Sequence, residues 1–220
     1  MFNRNTLLIL MAALAAGLGL WAAQVAFGPG GGTAAPAAAA PAVDPARLRA
    51  VRLFPSPRAI APFALQQSDG TALGPAELAG RWTVVFLGFT HCPDVCPTTL
   101  TELSRAQKAW DDLPEARRPR VLFVSVDPDR DTAEKTGEYA AYFHPATLAA
   151  TAPEPALGQF ATSLGLVYMK VPLEGGDYTM DHSSALVLID PQGRQVGLIR
   201  PPLVPDDIAA DLALLAEVAP

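Results

Sequence analysis

The sequence predicts an α/β sandwich around a mixed central sheet, preceded by one N-terminal transmembrane helix. Three observations carry this. Two continuous apolar runs, residues 82–89 (WTVVFLGF) and 120–127 (RVLFVSVD), read as strands covered on both faces. Each leads into a segment of helical apolar spacing, TTLTELSRAQKAWDDL and DTAEKTGEYAAYF, the alternation that builds strand–helix–strand units. Two later runs, 184–190 and 194–200, flank the tight-turn sequence DPQG and read as an antiparallel pair.

The N-terminal stretch MFNRN carries one positive charge, Arg4, and residues 7–27 then run for 21 positions without a charge. At about 1.5 Å per residue this suffices to cross a hydrocarbon core of about 30 Å. Cleaved signal peptides have shorter apolar runs, roughly 7–15 residues, so an uncleaved anchor is expected. Arg4 is the only charge before Asp44, which places the short N-terminus in the cytoplasm and the rest on the far side of the membrane. The sequence GPGGGTAAPAAAAPAVDP has no large side chain to bury and reads as a flexible tether. The expected organisation is an n-region and anchor over 1–27, an Ala/Pro/Gly-rich tether over 28–60 and a folded domain over 61–220.

Within that domain FALQQSDGTAL reads as a hairpin turning at Asp69-Gly70. Pro97 is suited to the first position of the helix after the first long strand. Asp131 or Thr132 caps the next helix, with Glu134 in its first turn. A shorter helix fits 155–164, and 205–218 closes the chain, capped near Asp206. The net charge of −6 and the lack of any Lys/Arg run argue against a nucleic-acid partner.

The two cysteines of the chain, Cys92 and Cys96, lie in FTHCPDVCPTTL, where the first long strand hands over to a helix. Carboxyl ends of strands are where α/β folds commonly place ligands. A structural disulfide over so short a loop constrains the unfolded chain little. A redox-active pair is the second reading, because a helix N-terminus favours thiolate. A metal site is the third. Side chains four apart on a helical turn have Cβ atoms about 5–6 Å apart, wider than a disulfide prefers but suited to two thiolates on one ion. Such a site needs a further ligand. His91 neighbours Cys92 and diverges from it. His144 reads as a helix C-terminal cation or a surface residue. His182 precedes the strand 184–190; if that strand pairs near the end of 82–89 it can face the cysteine loop, and otherwise it is an ordinary loop histidine, while Asp181 can orient it or simply cap a turn. Both copper and zinc accept two Cys and one His, and spacing does not choose between them.

Three stretches, FLGFTHCPDVCPTTL, VSVDPDRDT and DHSSALVLIDPQG, resemble in order the Sco/SenC family, and the likeness covers about residues 61–219. The resemblance implies a thioredoxin-like fold on a membrane anchor. It implies copper, Cu(I) or Cu(II), held by Cys92, Cys96 and His182, with Asp94 between the cysteines helping to orient the site or its partner. It implies delivery to the dinuclear copper centre of cytochrome c oxidase, with the copper-bearing oxidase subunit as partner and another copper chaperone as a candidate donor. The chain would then be a single-pass protein of the inner (cytoplasmic) membrane facing the periplasm. The rival is a thiol–disulfide reductase acting on the oxidase subunit's own cysteines. Thioredoxin enzymes carry a cis-proline opposite their cysteines, and DHSS has no proline there.

Overall fold

The computed structural model describes residues 43–218, together with Asn3, Met11, Leu14, Ala15, Gly17 and Leu18. Apart from those positions, the predicted anchor and the tether up to residue 42 lie outside the described residues. Among the described residues no helix is long and apolar enough to cross a membrane.

The first long apolar run forms β4 (Thr83–Gly88) and the second forms β5 (Arg120–Ser125), paired in parallel from Thr83↔Arg120 to Gly88↔Ser125. All six residues of β4 are buried, as a strand covered on both faces requires. β6 (Leu148–Thr151) continues the parallel core beyond β5. On the other side β9 (Leu186–Ile189) runs antiparallel to β4, and β10 (Arg194–Ile199) antiparallel to β9. The hairpin β2 (Leu65–Gln67) and β3 (Ala72–Leu73) closes the β6 side, turning at Asp69-Gly70 as predicted. With β1 (Val51–Ala59) on β10, the eight-stranded sheet has the order β1-β10-β9-β4-β5-β6-β2-β3. This is the mixed-sheet α/β architecture read from the sequence.

The helices are α1 (Pro75–Leu78), α2 (Val95–Ala109), α3 (Ala133–Phe143), α4 (Ala156–Ser163) and α5 (Pro205–Val218). Leu100, Leu103 and Ala106 recur along one face of α2 and are fully covered. Just beyond α2, the buried Trp110 indole donates to the Ala209 carbonyl of α5 at 3.1 Å. Thr132 caps α3 and accepts from the Lys135 amide.

The tether is shorter than composition suggests. Residues 51–59 form β1, paired from Val51↔Ile199 to Ala59↔Arg194 with an irregularity between Leu53 and Arg58. Pro55 and Pro57 fall in that irregularity. An edge strand tolerates them because its outer side has no ladder to complete. Proline-rich composition thus disguised a strand as linker. Its start is fastened by the buried Asp211 of α5, which accepts the amides of Arg49, Ala50 and Val51 at 2.8–3.1 Å. Asp211→Asn replaces one accepting oxygen with a donor. It is expected to cost about 1–3 kcal/mol, read as a lower urea midpoint at unchanged slope.

His144 is corrected as well. It is buried at the end of α3, and its Nδ1 faces the Gln107 amide nitrogen at 2.5 Å and the Ala146 N–H at 3.3 Å. Both neighbours donate, so the ring is a neutral acceptor, and burial holds its pKa below the ordinary histidine value. The unfolded chain therefore takes up this proton first as pH falls. The ring's contribution to stability is complete above about pH 7 and drops below the unfolded pKa of about 6.5. His144→Gln should flatten the urea midpoint between about pH 7 and 5.5 relative to the parent.

The ribbon β7 (Tyr168–Pro172) and β8 (Tyr178–His182) stands apart from the main sheet, paired from Tyr168↔His182 to Pro172↔Tyr178. No periodicity announced it, because Met180 is its one buried residue and neither strand presents a continuous apolar face.

Candidate metal centre

The site assembles at the carboxyl end of β4 from three pieces: the loop 89–94, the first turn of α2 and the end of β8. Helix α2 begins at Val95 with Asp94 as N-cap, two residues before the expected start. Pro97 is its third residue, where a missing N–H leaves no helical bond unmade. Cys96 thereby falls within the first turn and is fully buried, while Cys92 stays in the loop and is half-buried. The Cys92 Sγ accepts the Cys96 N–H at 3.4 Å. The pair is thus a loop thiol folded over a helix N-terminus, not two thiols on one helix face. Both are free.

His182 arrives from 86 positions away in sequence, its Nε2 lying 3.6 Å from the Cys96 Sγ. The antiparallel pairing of β9 on β4, with Val85 opposite Val187, brings the chain preceding β9 to this end of the sheet. The His182 Nδ1 lies 3.1 Å from the Ser183 carbonyl, which only accepts. Nδ1 therefore carries the proton, and the Nε2 lone pair faces sulfur. Phe86 and Phe89 hold the ring edge-on at centroid distances of 6.0 and 6.1 Å. Burial lowers the imidazole pKa, against smaller upward pulls from the Ser183 bond and Asp181. Neutral imidazole is the form that binds metals.

The Cys96 thiol is pushed well above its ordinary pKa, first by burial. Its backbone bond at Phe89 pulls the other way and does not win. The expected activation of this thiol by a helix N-terminus is overridden by desolvation. Cys96 holds its proton at neutral pH and lies within reach of Nε2, which is poor equipment for attacking disulfides. A thiophilic cation can replace that proton and meet sulfur and imidazole together. Space is tight: a Cβ on Gly88 would lie 2.9 Å from the Cys96 Sγ.

The other predicted residues are placed differently. Asp94 is exposed and makes no capping bond with its side chain. Asp181 is exposed, and the Ser183 carbonyl takes the orienting role expected of it. His91 is exposed and turns toward Thr90 Oγ1 at 3.1 Å and Asp131 Oδ1 at 3.4 Å.

Sequence reasoning left VDPDRDT without a role beyond a strand end and a cap. The structure makes it a hydrogen-bonding hub beside the site. Asp131, fully buried, accepts from the Thr90 N–H (2.8 Å), the Thr90 hydroxyl (2.5 Å) and the Ser125 hydroxyl (2.6 Å). Asp127 accepts from Arg130 Nε (2.5 Å) and the Tyr178 hydroxyl (2.8 Å). His91, Asp127 and Asp131 bring three ligand-type atoms within 4.8 Å of one another. The carboxylates are already filled by donors, so a cation there would have to displace Arg130, Tyr178 or Thr90. Two aspartates at the carboxyl end of a buried strand were the available signal for this hub.

A family model described as SCO1/SenC matches residues 54–217. The mitochondrial protein SCO1 homolog 1 of Arabidopsis thaliana is 38% identical over 133 residues, 60% of this chain but 39% of that protein. The solved structure of Arabidopsis thaliana ScoI with copper bound superposes with a TM-score of 0.67 at 32% identity, over 72% of this chain and 98% of that one. Bradyrhizobium japonicum ScoI with copper bound gives 0.65 at 36% identity, over 71% and 99%. The chain thus spans about two-fifths of the full Arabidopsis relative and nearly all of each solved chain. With a match running from β1 into α5, across the cysteine loop and His182, the chain belongs to the SCO1/SenC family.

Proposed function

We propose that this protein is a membrane-tethered copper chaperone. It binds copper through Cys92, Cys96 and His182 and delivers it to the dinuclear copper centre of cytochrome c oxidase during assembly. The observation that carries the reading is the 3.6 Å approach of the Cys96 Sγ to a His182 Nε2 whose lone pair is directed at it. Two similar proteins have been solved with copper bound. Copper is cargo here. Two thiolates and an imidazole suit Cu(I), and the imidazole also accepts Cu(II). Half-exposed Cys92 offers a face at which an acceptor thiol can begin ligand exchange.

In this reading residues 7–27 anchor the chain in the inner membrane, with the domain in the periplasm. The reductase alternative would use the same two thiols and would not need His182, so dependence on His182 separates the two readings.

Residues 43–218 fall within one compact unit, so the test uses protein starting at about Asp44. Under anaerobic conditions the reduced domain is titrated with Cu(I) against a chromophoric chelator, beside His182→Ala and a sample in which the two thiols are oxidised. One-to-one binding that weakens sharply in His182→Ala and is abolished on oxidation is the expected result, because only thiolates ligate. If His182→Ala binds like the parent, or the parent binds only loosely, the copper reading fails and a reductase becomes the better account.

A further inference from the structure

We infer that residues 127–131 act as a two-armed clamp that sets the approach of His182 to the cysteines, an inference that rests on the proposed copper site. One arm holds the ribbon that ends in His182. That ribbon is outside the eight-stranded sheet; Met180 joins the core, Tyr168 and Tyr178 pack against it and the Tyr168 hydroxyl meets Glu154, so no ladder to that sheet fixes its register and side-chain contacts must. Arg130 donates to the Tyr178 carbonyl at 3.1 Å, and its guanidinium stacks 3.7 Å above the Tyr178 ring. The Tyr178 hydroxyl returns to Asp127 at 2.8 Å. Lys170 of β7 pairs with Asp129 at 2.9 Å. Tyr178 opens β8 and His182 closes it, so fixing the first residue of this short strand fixes the last.

The other arm holds the cysteine loop. Asp131 takes both the amide and the hydroxyl of Thr90, two residues before Cys92. The arms share one rigid turn, closed by the Asp131 amide on the Asp127 carbonyl at 2.9 Å. The turn is rooted in the core through the Ser125 hydroxyl, which donates to Asp131 and accepts the Asp127 amide. Asp127 is 2% exposed and Arg130 20%, so breaking this pair strands a desolvated charge, unlike breaking a surface pair. The pairing of β9 on β4 brings the two ligand-bearing segments to one end of the sheet, and the clamp holds them in one register there.

The test begins with metal-free, reduced domain by NMR. In Arg130→Gln, amide exchange over residues 168–182 should rise about tenfold or more while β4 and β5 keep their rates. The cross-peak between the Cys96 β protons and the His182 ring should disappear. Arg130→Lys, which keeps the charge, should retain much of the parent behaviour, whereas a general packing defect would show in both variants. Thr90→Ala should loosen residues 90–94 and leave the ribbon protected. Cu(I) affinity of Arg130→Gln should fall about 10–100-fold, as when an outer partner of a metal ligand is lost. The clamp is overturned if Arg130→Gln keeps the ribbon protected and the cross-peak intact, or if the loosened variant binds Cu(I) as tightly as the parent. Failure of the parent to bind Cu(I) would sink the proposed function instead, and the metal-free measurements would still decide whether the clamp exists.

Discussion

Cys96→Ser is expected to lower Cu(I) affinity by more than about a hundredfold while the domain still folds. Loss of an outer hydrogen-bond partner to a metal ligand costs about 10–100-fold, and loss of the ligand itself should exceed that. The hydroxyl does not ionise near neutrality and is a hard donor that Cu(I) does not favour. Cys96 is fully buried, so water cannot substitute for the missing sulfur without opening the first turn of α2. The serine hydroxyl can still donate to the His182 Nε2, as the thiol does within 3.6 Å, which keeps the apo site satisfied and the fold near parent stability. Competition with a chromophoric chelator gives the affinity, and urea unfolding gives the control. Unchanged affinity would take Cys96 out of the site and the copper proposal with it.

Gly88→Ala should damage stability and site together. The added Cβ would meet Phe123 at 2.7 Å, the Cys96 Sγ at 2.9 Å and Phe86 at 3.3 Å. Gly88 ends β4 opposite Ser125 in the middle of the sheet, where neither strand can yield easily. Overpacking of this kind costs about 1–3 kcal/mol, occasionally more, and this position belongs near the upper end. Relief must come from Phe123, which opens the core, or from Cys96, which swings the sulfur from His182. The urea midpoint and Cu(I) affinity should therefore fall together. Adding Phe123→Leu should return part of the stability, since it vacates the nearest contact and the two sites are coupled. A Gly88→Ala variant as stable as the parent would show that the glycine is not needed for the close approach.

Much of this architecture was legible because it rests on local pattern. The buried strands β4 and β5, the turns at Asp69-Gly70 and DPQG, the Thr132 cap and the closing helix all follow from apolar period and turn chemistry. Elements without a strong apolar face escaped. β1 looked like tether because prolines sit in its irregular middle, and β7–β8 buries only Met180 fully, so neither of its strands shows a continuous apolar face. His144 was misread because a histidine after a helix is usually solvated. Its burial against Gln107 is a contact between α2 and the end of α3 that no local rule foresees.

The sequence by itself determined the chemical inventory: two thiols at a strand-to-helix junction and three histidines. Residue patterns made His182 a candidate only if its strand paired near the end of 82–89, and the resemblance named it; tertiary structure decided how closely it meets sulfur, which thiol is buried, and what orients the ring. Those outcomes turn on desolvation and on bonds between segments 40 to 90 positions apart, such as Thr90 with Asp131 and Cys96 with His182. Local propensity falls silent over such separations, because the free energy that selects them comes from packing the whole sheet and not from any one stretch of chain.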